Sequence, residues 1–152
     1  MTTNYAGAFI EVAPDSTAAG PEVPPARATP SVAELQHALL AEHPYRYTSD
    51  ELLFEVHAIR SSIADADRDA ARAAFLAKDQ ACLRASPLSK RYGWGTHHDS
   101  DGRVALVGVG TAEYAALAAD PTLEHRQAMR SSRACPGSTR RATPRVTPGR
   151  GA

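Results

Sequence analysis

The sequence has little of several residue types that would place it in a familiar class. Lysine occurs twice against fifteen arginines, cysteine occurs twice, and tryptophan occurs once. Two cysteines without close spacing argue against a secreted fold held by disulfides. No apolar run approaches the roughly 20 residues that span a bilayer, and the first residues lack the features of a signal peptide. We therefore expect a soluble cytoplasmic protein without a membrane partner, and the excess of arginine and alanine is typical of a GC-rich bacterial genome.

Acidic residues are missing from the end of the chain. All 17 acidic residues but only 11 of the 17 basic residues lie in residues 1–129, which leaves that part with a net charge of −6. Residues 130–152 contain six arginines and no acid. The composition and lack of periodicity after residue 133 predict a disordered basic tail, residues 134–152, behind a single domain, residues 1–133. An acidic domain is a poor electrostatic partner for nucleic acid.

The periodicity of the remaining chain predicts an α+β domain with helices packed on a small, mainly antiparallel sheet. Residues 8–12 are rich in β-forming side chains and predict a strand. Capping boxes at Ser31 and Thr48 predict the starts of two helices, and two further helices are predicted over residues 65–78 and 111–119. The sheet is expected to contain a C-terminal hairpin, whose strands cover residues 91–98 and 103–109 on either side of a glycine-containing turn. Residues 122–129 are ambiguous.

Two of these helices have unusual apolar patterns. After Thr48, a 4-3-4 spacing predicts a helical stripe of Leu52, Val56, Ile59 and Ile63. Alternate residues from 52 to 58 are also apolar, as on a strand, but the cap favours a helix. In residues 65–78 we expect a narrow buried face made of alanines, helped by Phe75 or Leu76.

Residues 82–98 contain more polar and aromatic side chains than a strand needs in order to fold. In an extended strand, Gly93 and Gly95 would share a face of bare backbone between Arg91 and His97. Glycine in a strand often marks close approach of a ligand or of another segment, so an anion could lie there, or a helix could pack there. The ligand-binding candidates are Arg84, Ser86, Lys90, Arg91, Tyr92, Trp94 and His97.

Cys82 and His97 are the catalytic candidates. Arg84 could favour the thiolate of Cys82, but a nucleophile and its base must also be in contact. A single cysteine in a cytosolic domain is most often a small buried apolar group. We expect no metal site at His97 and His98, because adjacent residues on a strand point in opposite directions. We also expect no cofactor, since the glycines at 93 and 95 lack the rest of a phosphate-binding loop.

The most distinctive run of the chain spans residues 82–95 and reads Cys82-Leu83-Arg84-Ala85-Ser86-Pro87-Leu88-Ser89-Lys90-Arg91-Tyr92-Gly93-Trp94-Gly95. This run resembles a family of small bacterial proteins known only as a domain of unknown function. The resemblance covers residues 1 to about 134 and is also carried by Asn4 and by residues 9–13, 45–50 and 129–131. It implies no established activity, cofactor or catalytic residue. The chain departs from the family pattern at Thr96, where an aliphatic residue is usual, and at Val107, where tyrosine is usual.

Three functions are compatible with these residues. The first, which we favour, is a non-catalytic binding module that recognises a small anionic ligand or a protein partner through residues 84–97. The second is a small enzyme that uses Cys82 and His97, with Arg84 as a clamp for an oxyanion or carboxylate. The third is a nucleic-acid-binding accessory protein that stacks bases on Tyr92 and Trp94 and uses the arginine-rich tail. The sequence leaves the oligomeric state open.

Overall fold

The computed structural model describes residues 2–130. The predicted basic tail, residues 134–152, lies outside the described residues. In chain order the elements are β1 (Ala8–Glu11), α1 (Val32–Glu42), α2 (Ser49–Arg60), α3 (Arg68–Ala77), α4 (Pro87–Arg91), β2 (Trp94–His98), β3 (Val104–Gly108), α5 (Ala112–Ala118) and β4 (Glu124–Gln127). Short 3₁₀ turns precede α3 and α4, at Asp65–Asp67 and Leu83–Ala85.

The four strands form one mixed sheet in the order β3-β2-β1-β4. The β1–β2 and β2–β3 pairs are antiparallel, and β4 lies parallel to β1. The predicted α+β class with a mainly antiparallel sheet is therefore confirmed. The predicted hairpin is β2–β3, and its turn is held by the Asp99 side chain, which accepts a hydrogen bond from the Arg103 amide at 2.8 Å. Gly102 supplies a φ of +80° in that turn.

Helices cover both faces of the sheet. Ile10 packs in the main core with Leu40 of α1, whereas the neighbouring Phe9 contacts the ring of Tyr114 of α5, with ring centroids 5.0 Å apart. Successive strand residues point to opposite faces, so these contacts define an α1 face and an α5 face. The main core on the α1 face consists of Ile10, Ala13, Leu40, Leu52, Leu83, Val104 and Ala128.

Both predicted caps are present. The Ser31 hydroxyl accepts a hydrogen bond from the Glu34 amide at 3.2 Å, although the Glu34 side chain turns to the Arg27 amide instead of returning to the cap. At Thr48 the capping box is complete, because the Thr48 hydroxyl accepts from the Glu51 amide and Glu51 accepts from the Thr48 amide. These bonds satisfy backbone donors that the first turn of a helix leaves unpaired.

The buried faces of α2 and α3 differ from the predictions. In α2 the alternate residues Leu52, Phe54, Val56 and Ala58 are all buried, and Ile59 is 47% exposed. Alternate residues can be buried on this helix because both α1 and α3 pack against it. The alanine face of α3 was predicted wrongly, since no residue of α3 is buried and only Phe75 and Leu76 of the predicted face are half-buried.

Candidate functional site

Residues 83–98 form a 3₁₀ turn, α4 and β2 instead of a strand over residues 91–98. Ser86 is extended, and its Oγ accepts a hydrogen bond from the backbone amide of residue 88 at 3.2 Å, while Pro87 occupies the first turn of α4. A polar cap followed by proline is a favourable start for a helix. The strand begins at Trp94, so the predicted alternation of side chains before that residue is wrong.

The glycine face of β2 is filled by the protein itself. A Cβ atom on Gly93 would lie 2.4 Å from the carbonyl oxygen of Gly20, and Gly93 has a φ of +77°, which favours glycine. A Cβ atom on Gly95 would lie 2.9 Å from the ring of Tyr114 and 3.0 Å from the carbonyl oxygen of Ile10. Of the two interpretations of these glycines, close packing is the one that the structure shows.

The serine candidates point into the protein. Ser86 is 4% exposed, and its Oγ donates a hydrogen bond to Oε1 of Gln36 at 2.6 Å. Ser89 is fully buried, and its Oγ donates to the Trp94 carbonyl oxygen at 2.6 Å. Buried hydroxyl groups usually have such partners. These two bonds hold α4 against α1 and β2.

The basic candidates are divided between two elements. Lys90 and Arg91 lie in the last turn of α4, where positive charge complements the helix dipole. Arg84 lies in the preceding 3₁₀ turn, and its Nε donates a hydrogen bond to the carbonyl oxygen of Gln127 at 2.6 Å. Arg84 is therefore fixed against β4, whereas Arg91 is exposed at the end of α4.

The aromatic candidates anchor the proline-rich loop before α1. Trp94 is half-buried, its Nε1 donates to the carbonyl oxygen of Glu22 at 2.8 Å, and its ring lies 5.2 Å from the ring of His37. Tyr92 is also half-buried, and its carbonyl oxygen accepts from the Glu22 amide. Burial lowers the pKa of His37. The Trp94 ring already has structural partners and Tyr92 is half-buried, which weakens the case for a nucleic-acid stacking platform.

His97 lies on the α5 face of the sheet. Its Nδ1 is 2.8 Å from the hydroxyl oxygen of Tyr45, and the two rings meet edge to face with centroids 5.7 Å apart. Burial raises the pKa of Tyr45, and the charges of Glu113 and Asp99 act in the same direction. His97 is therefore engaged with Tyr45 of the loop between α1 and α2.

Cys82 lies on the other side of the sheet, so the structure does not bring Cys82 and His97 together. The Tyr5 hydroxyl donates a hydrogen bond to Sγ of Cys82 at 3.4 Å, and the Tyr5 ring meets the His98 ring edge to face at 5.5 Å. His98 follows His97 in β2 and points to the α1 face. The imidazole on the side of Cys82 is therefore His98, which is considered from the sequence only as a metal ligand and not as a partner of Cys82.

His98 is fully buried and electrically neutral. Its Nε2 lies 3.2 Å from Oγ1 of Thr96, and its Nδ1 has no hydrogen-bond partner within residues 2–130. Burial lowers the pKa of His98 to about 4, the charge of His97 adds to the effect, and Asp99 opposes it. Thr96, one of the departures from the family pattern, thus supplies the hydroxyl next to this imidazole.

Two arginines gather around Tyr5 and Cys82. The guanidinium carbon of Arg126, in β4, lies 5.7 Å from the centroid of the Tyr5 ring. Burial raises the pKa of Tyr5 and the contact with Cys82 adds to this, whereas the positive charges of Arg126 and Arg84 lower it. The parallel pairing of β4 with β1 is what brings Arg126 here, because it places Arg126 opposite Ile10.

A cavity of about 390 Å³ opens beside these residues. We call it the Cys82 cavity; it is lined by Thr2, Thr3, Asn4, Tyr5, Gln80, Ala81, Cys82 and Met129. The Met129 amide donates a hydrogen bond to the Arg84 carbonyl oxygen at 2.7 Å, which holds the end of the described chain against the 3₁₀ turn. The cavity is therefore built from both ends of the domain and from the turn before α4.

The amino-terminal wall of the cavity is fastened to α2 by Asp50. The Asp50 carboxylate accepts hydrogen bonds from the Thr3 amide and hydroxyl and from the Thr2 hydroxyl, and the Asp50 amide donates to Oδ1 of Asn4. Burial alone would raise the pKa of Asp50, but the bonds from Thr3 and Thr2 and the charge of Arg72 outweigh it and lower the pKa. Asp50 is thus an anchor as well as a first-turn residue, a role that capping alone does not indicate.

The Cys82 cavity is lined by a free thiol and a phenol, and Arg126 and Arg84 lie near that phenol. Cys82 is a free cysteine and half-buried. Guanidinium groups recognise carboxylates and phosphates through charge-assisted hydrogen bonds. In the described part of the chain, no group of three or more histidine, cysteine or acidic side chains could hold a metal ion, and no helix is long and apolar enough to cross a membrane.

Comparison with known proteins places the chain in a family. The model of a family of unknown function, DUF6157, matches residues 1–134, and the chain belongs to that family. No curated protein and no solved structure matches it. The family resemblance noted from the sequence is confirmed, and the function is unknown.

Proposed function

We propose that this member of DUF6157 is a non-catalytic module that binds a small anionic ligand in the Cys82 cavity. The observation that carries the proposal is the convergence of Arg84 and Arg126 on Tyr5, beside an open cavity. A volume of about 390 Å³ lies within the range of small-molecule sites, roughly 300–1,000 Å³. The proposed site keeps Arg84 from the original candidates and adds Tyr5 and Arg126.

The charge around the cavity favours an anion over other ligands. Residues 1–129 carry a net charge of −6. The two arginines that lower the pKa of Tyr5 therefore form a local positive region in an acidic domain. The Nε of Arg84 is bonded to Gln127, and Arg126 forms an ion pair with Glu124, which holds both side chains near Tyr5. A carboxylate or phosphate would gain charge-assisted bonds from nitrogens that are already held in place.

The position of the family segments also supports this cavity. Asn4, Cys82 and Met129 come from three of the segments that carry the family resemblance, and all three line the cavity. Asp50, from a fourth segment, bonds directly to Asn4. Residues far apart in the sequence thus meet around one opening, as expected of a binding site shared by the family.

We further propose that the protein works in the bacterial cytoplasm. The free thiol of Cys82 suits a reducing compartment. The preference for arginine over lysine, fifteen to two, is typical of a GC-rich bacterial source.

The enzyme hypothesis is weakened because its two catalytic candidates, Cys82 and His97, lie on opposite faces of the sheet. Only the Cys82 thiol remains at the cavity. His97 is bonded to Tyr45 on the α5 face, and burial lowers the pKa of His98, on the side of Cys82, to about 4, which makes it a poor base. A nucleophilic cysteine needs a base within hydrogen-bond reach. Binding therefore accounts for the cavity better than catalysis does.

A thermal-shift titration tests the proposal with inorganic phosphate, pyrophosphate and small mono- and dicarboxylates. A ligand at 100 times its Kd stabilises the folded state by about 2.7 kcal/mol, which raises Tm by several degrees. We expect at least one of these anions to raise the Tm of the wild type. Arg126→Glu and Arg84→Glu should each abolish the rise.

Two further variants keep the test independent of folding. Arg91→Glu changes an exposed arginine at the end of α4 and should preserve the anion-dependent rise in Tm. Because Arg84 also bonds to Gln127, Tyr5→Phe serves as a second site variant and should weaken binding by several-fold. The proposal is wrong if no anion of the panel shifts the wild type at millimolar concentration, or if Arg91→Glu weakens binding as much as Arg84→Glu does.

A further inference from the structure

A separate cavity of about 320 Å³ lies beside the loop between α1 and α2. We call it the arginine cavity; it is lined by Arg46, Tyr47, Glu51, Glu55, Arg72 and Arg103. These residues come from that loop, from α2, from α3 and from the position just before β3. None of them lines the Cys82 cavity, so the two cavities are different sites.

The loop that carries Arg46 is held against the β2–β3 hairpin. The Nη1 of Arg103 donates a hydrogen bond to the carbonyl oxygen of Arg46 at 2.6 Å, and the Val104 amide donates to the carbonyl oxygen of Tyr47 at 2.9 Å. The preceding residue, Tyr45, has a φ of +61°, which is uncommon for a residue other than glycine. The backbone of this wall is therefore fixed by its neighbours before any ligand binds.

Three arginines of the cavity have no acidic partner. None of the ion pairs within residues 2–130 includes Arg46, Arg72 or Arg103. The guanidinium carbon of Arg46 lies 5.8 Å from the centroid of the Tyr47 ring, which keeps this side chain beside the cavity. Guanidinium groups bind carboxylates through charge-assisted hydrogen bonds, often two at a time. The cavity therefore presents several donors for anionic groups.

The two glutamates of the cavity differ in their partners. Glu55 forms an ion pair with Arg68, the first residue of α3. Glu51 accepts a hydrogen bond from the Thr48 amide through Oε1 and takes part in no ion pair among residues 2–130. Glu51 is therefore the carboxylate of the cavity that a cationic group of a ligand would complement.

These charges define the charge pattern of a complementary ligand. With Glu55 paired to Arg68, the cavity wall keeps three positive charges and one negative charge. A ligand that complements this wall carries two anionic groups and one cationic group, whereas a simple anion leaves Glu51 unpaired and is repelled by it. A volume of about 320 Å³ lies at the small end of the range for small-molecule sites, roughly 300–1,000 Å³, which indicates a compact ligand.

We propose that the arginine cavity binds an acidic amino acid, a small molecule with two carboxylates and one ammonium group. The carboxylates pair with Arg46, Arg72 and Arg103, and the ammonium group pairs with Glu51. This site does not depend on the function proposed for the Cys82 cavity, where no residue of the lining supplies a carboxylate for a cationic group.

Isothermal titration calorimetry at constant ionic strength tests the charge pattern with matched probes. L-Glutamate carries all three charges, glutarate lacks the ammonium group, and 4-aminobutyrate lacks one carboxylate. L-Aspartate, succinate and β-alanine form the same series one carbon shorter. We expect the amino acid of at least one series to bind about tenfold more tightly than both of its analogues, since one charge-assisted contact contributes on that order.

The titrations are made in the wild type and in Arg126→Glu. Arg126 is exposed, and its substitution should abolish anion binding at the Cys82 cavity, so that the analogues report on the arginine cavity alone. The proposal is overturned if neither amino acid binds Arg126→Glu at millimolar concentration, or if the analogues bind this variant as tightly as the amino acids do.

Variants of three cavity residues assign the contacts. Glu51→Gln should remove the preference for the amino acid over the dicarboxylate. Glutamine can also complete a capping box with Thr48, so this variant should keep the start of α2. Arg46→Gln and Arg72→Gln, at exposed positions, should each weaken binding of the amino acid about tenfold. A preference that survives in Glu51→Gln contradicts the proposal, as does wild-type affinity in both arginine variants.

One further variant and one comparison complete the test. Arg60→Gln removes an exposed arginine of α2 that lies outside the arginine cavity, and it should leave the affinity for the amino acid unchanged. A tenfold loss in Arg60→Gln would contradict the assignment to this cavity. If the wild type binds an amino acid and Arg126→Glu does not, the amino acid is bound at the Cys82 cavity. In that case the proposal for the arginine cavity fails, and the function proposed for the Cys82 cavity stands.

Discussion

At the scale of single residues, the most unusual group is the His98 side chain. It is fully buried, its Nδ1 has no partner among the described residues, and its pKa is lowered to about 4. Protonation would place an unpaired charge in the core beneath Tyr5, which is costly. Protonation of His98 would therefore destabilise the core next to Tyr5, which is part of the wall of the Cys82 cavity.

We predict that the protein loses stability as the pH falls from about 6.5 towards 4. A histidine in the unfolded chain has a pKa near 6.5, so the unfolded state binds the extra proton first and is favoured. The full stability is present above pH 6.5, and at pH 5 the loss from His98 amounts to about 2 kcal/mol. Urea unfolding at several pH values measures this dependence.

The variant His98→Leu should reduce the pH dependence of the free energy of unfolding in this range. Because the variant leaves the buried Thr96 hydroxyl without its His98 partner, we also expect a loss of about 1–3 kcal/mol near pH 7.5. His43→Gln removes an exposed histidine and should retain the wild-type slope. A wild-type slope in His98→Leu would assign the dependence to other groups.

At the scale of elements, the sequence indicates an element where a local signal specifies it. The hydroxyl caps at Ser31 and Thr48 predict the starts of α1 and α2, and Gly102 with Asp99 predicts the β2–β3 turn. The Ser86-Pro87 pair is an equally local helix signal, and the strand predicted over residues 91–98 begins only after it. The helix that this pair starts reaches Arg91, and Gly93 follows with a φ of +77°, so the strand begins at Trp94.

Elements and sites that depend on distant partners were not predictable from the sequence. All four side chains of β4 are exposed, so no alternation marks it, and only its pairing with β1 makes it a strand. The Tyr5–Cys82 contact joins residues 77 positions apart, and Arg126 arrives through that same pairing. The sequence identifies Cys82 and Arg84 as candidate site residues. Tyr5, His98 and Arg126 belong to no local sequence pattern that would identify them as members of the same site.

The close packing of β2 against α5 predicts that adding one methyl group at Gly95 destabilises the protein. Gly95→Ala would place a Cβ atom 2.9 Å from the Tyr114 ring and 3.0 Å from a β1 carbonyl oxygen, which neither neighbour can accommodate without a shift. Overpacking of this kind costs about 1–3 kcal/mol. Gly20→Ala adds the same atom where no other atom lies within 4 Å and should change the free energy of urea unfolding much less. Equal effects of the two variants would contradict the packing role of Gly95.

At the scale of the whole molecule, the two ends of the described chain meet. Thr2–Tyr5 and Met129 line the same cavity, and the last core residue, Ala128, follows β4 directly. The family match ends at residue 134, a few residues further on. The core residues and the cavity residues of the described part of the chain therefore all precede the arginine-rich tail.

We predict that deletion of residues 134–152 leaves the thermal stability of the domain unchanged. Substitutions away from buried contacts usually change stability by less than about 0.5 kcal/mol, so Tm should remain within about 2 °C of the full-length value. Differential scanning calorimetry of the two chains measures this difference. A drop of many degrees would show that the tail belongs to the folded unit and would move the domain boundary beyond residue 133.

The two edges of the sheet are protected from association in different ways. At β3, the Tyr45 amide donates to the Val104 carbonyl oxygen and the Val104 amide donates to the Tyr47 carbonyl oxygen, so residues 45–47 cover this edge. At the other edge, β4 pairs only with β1 among the described residues and carries Glu124, His125 and Arg126. Charged side chains on an edge strand oppose edge-to-edge aggregation. The arginine of the proposed anion site therefore also places a positive charge on this edge, which opposes extension of the sheet by a second copy of the chain.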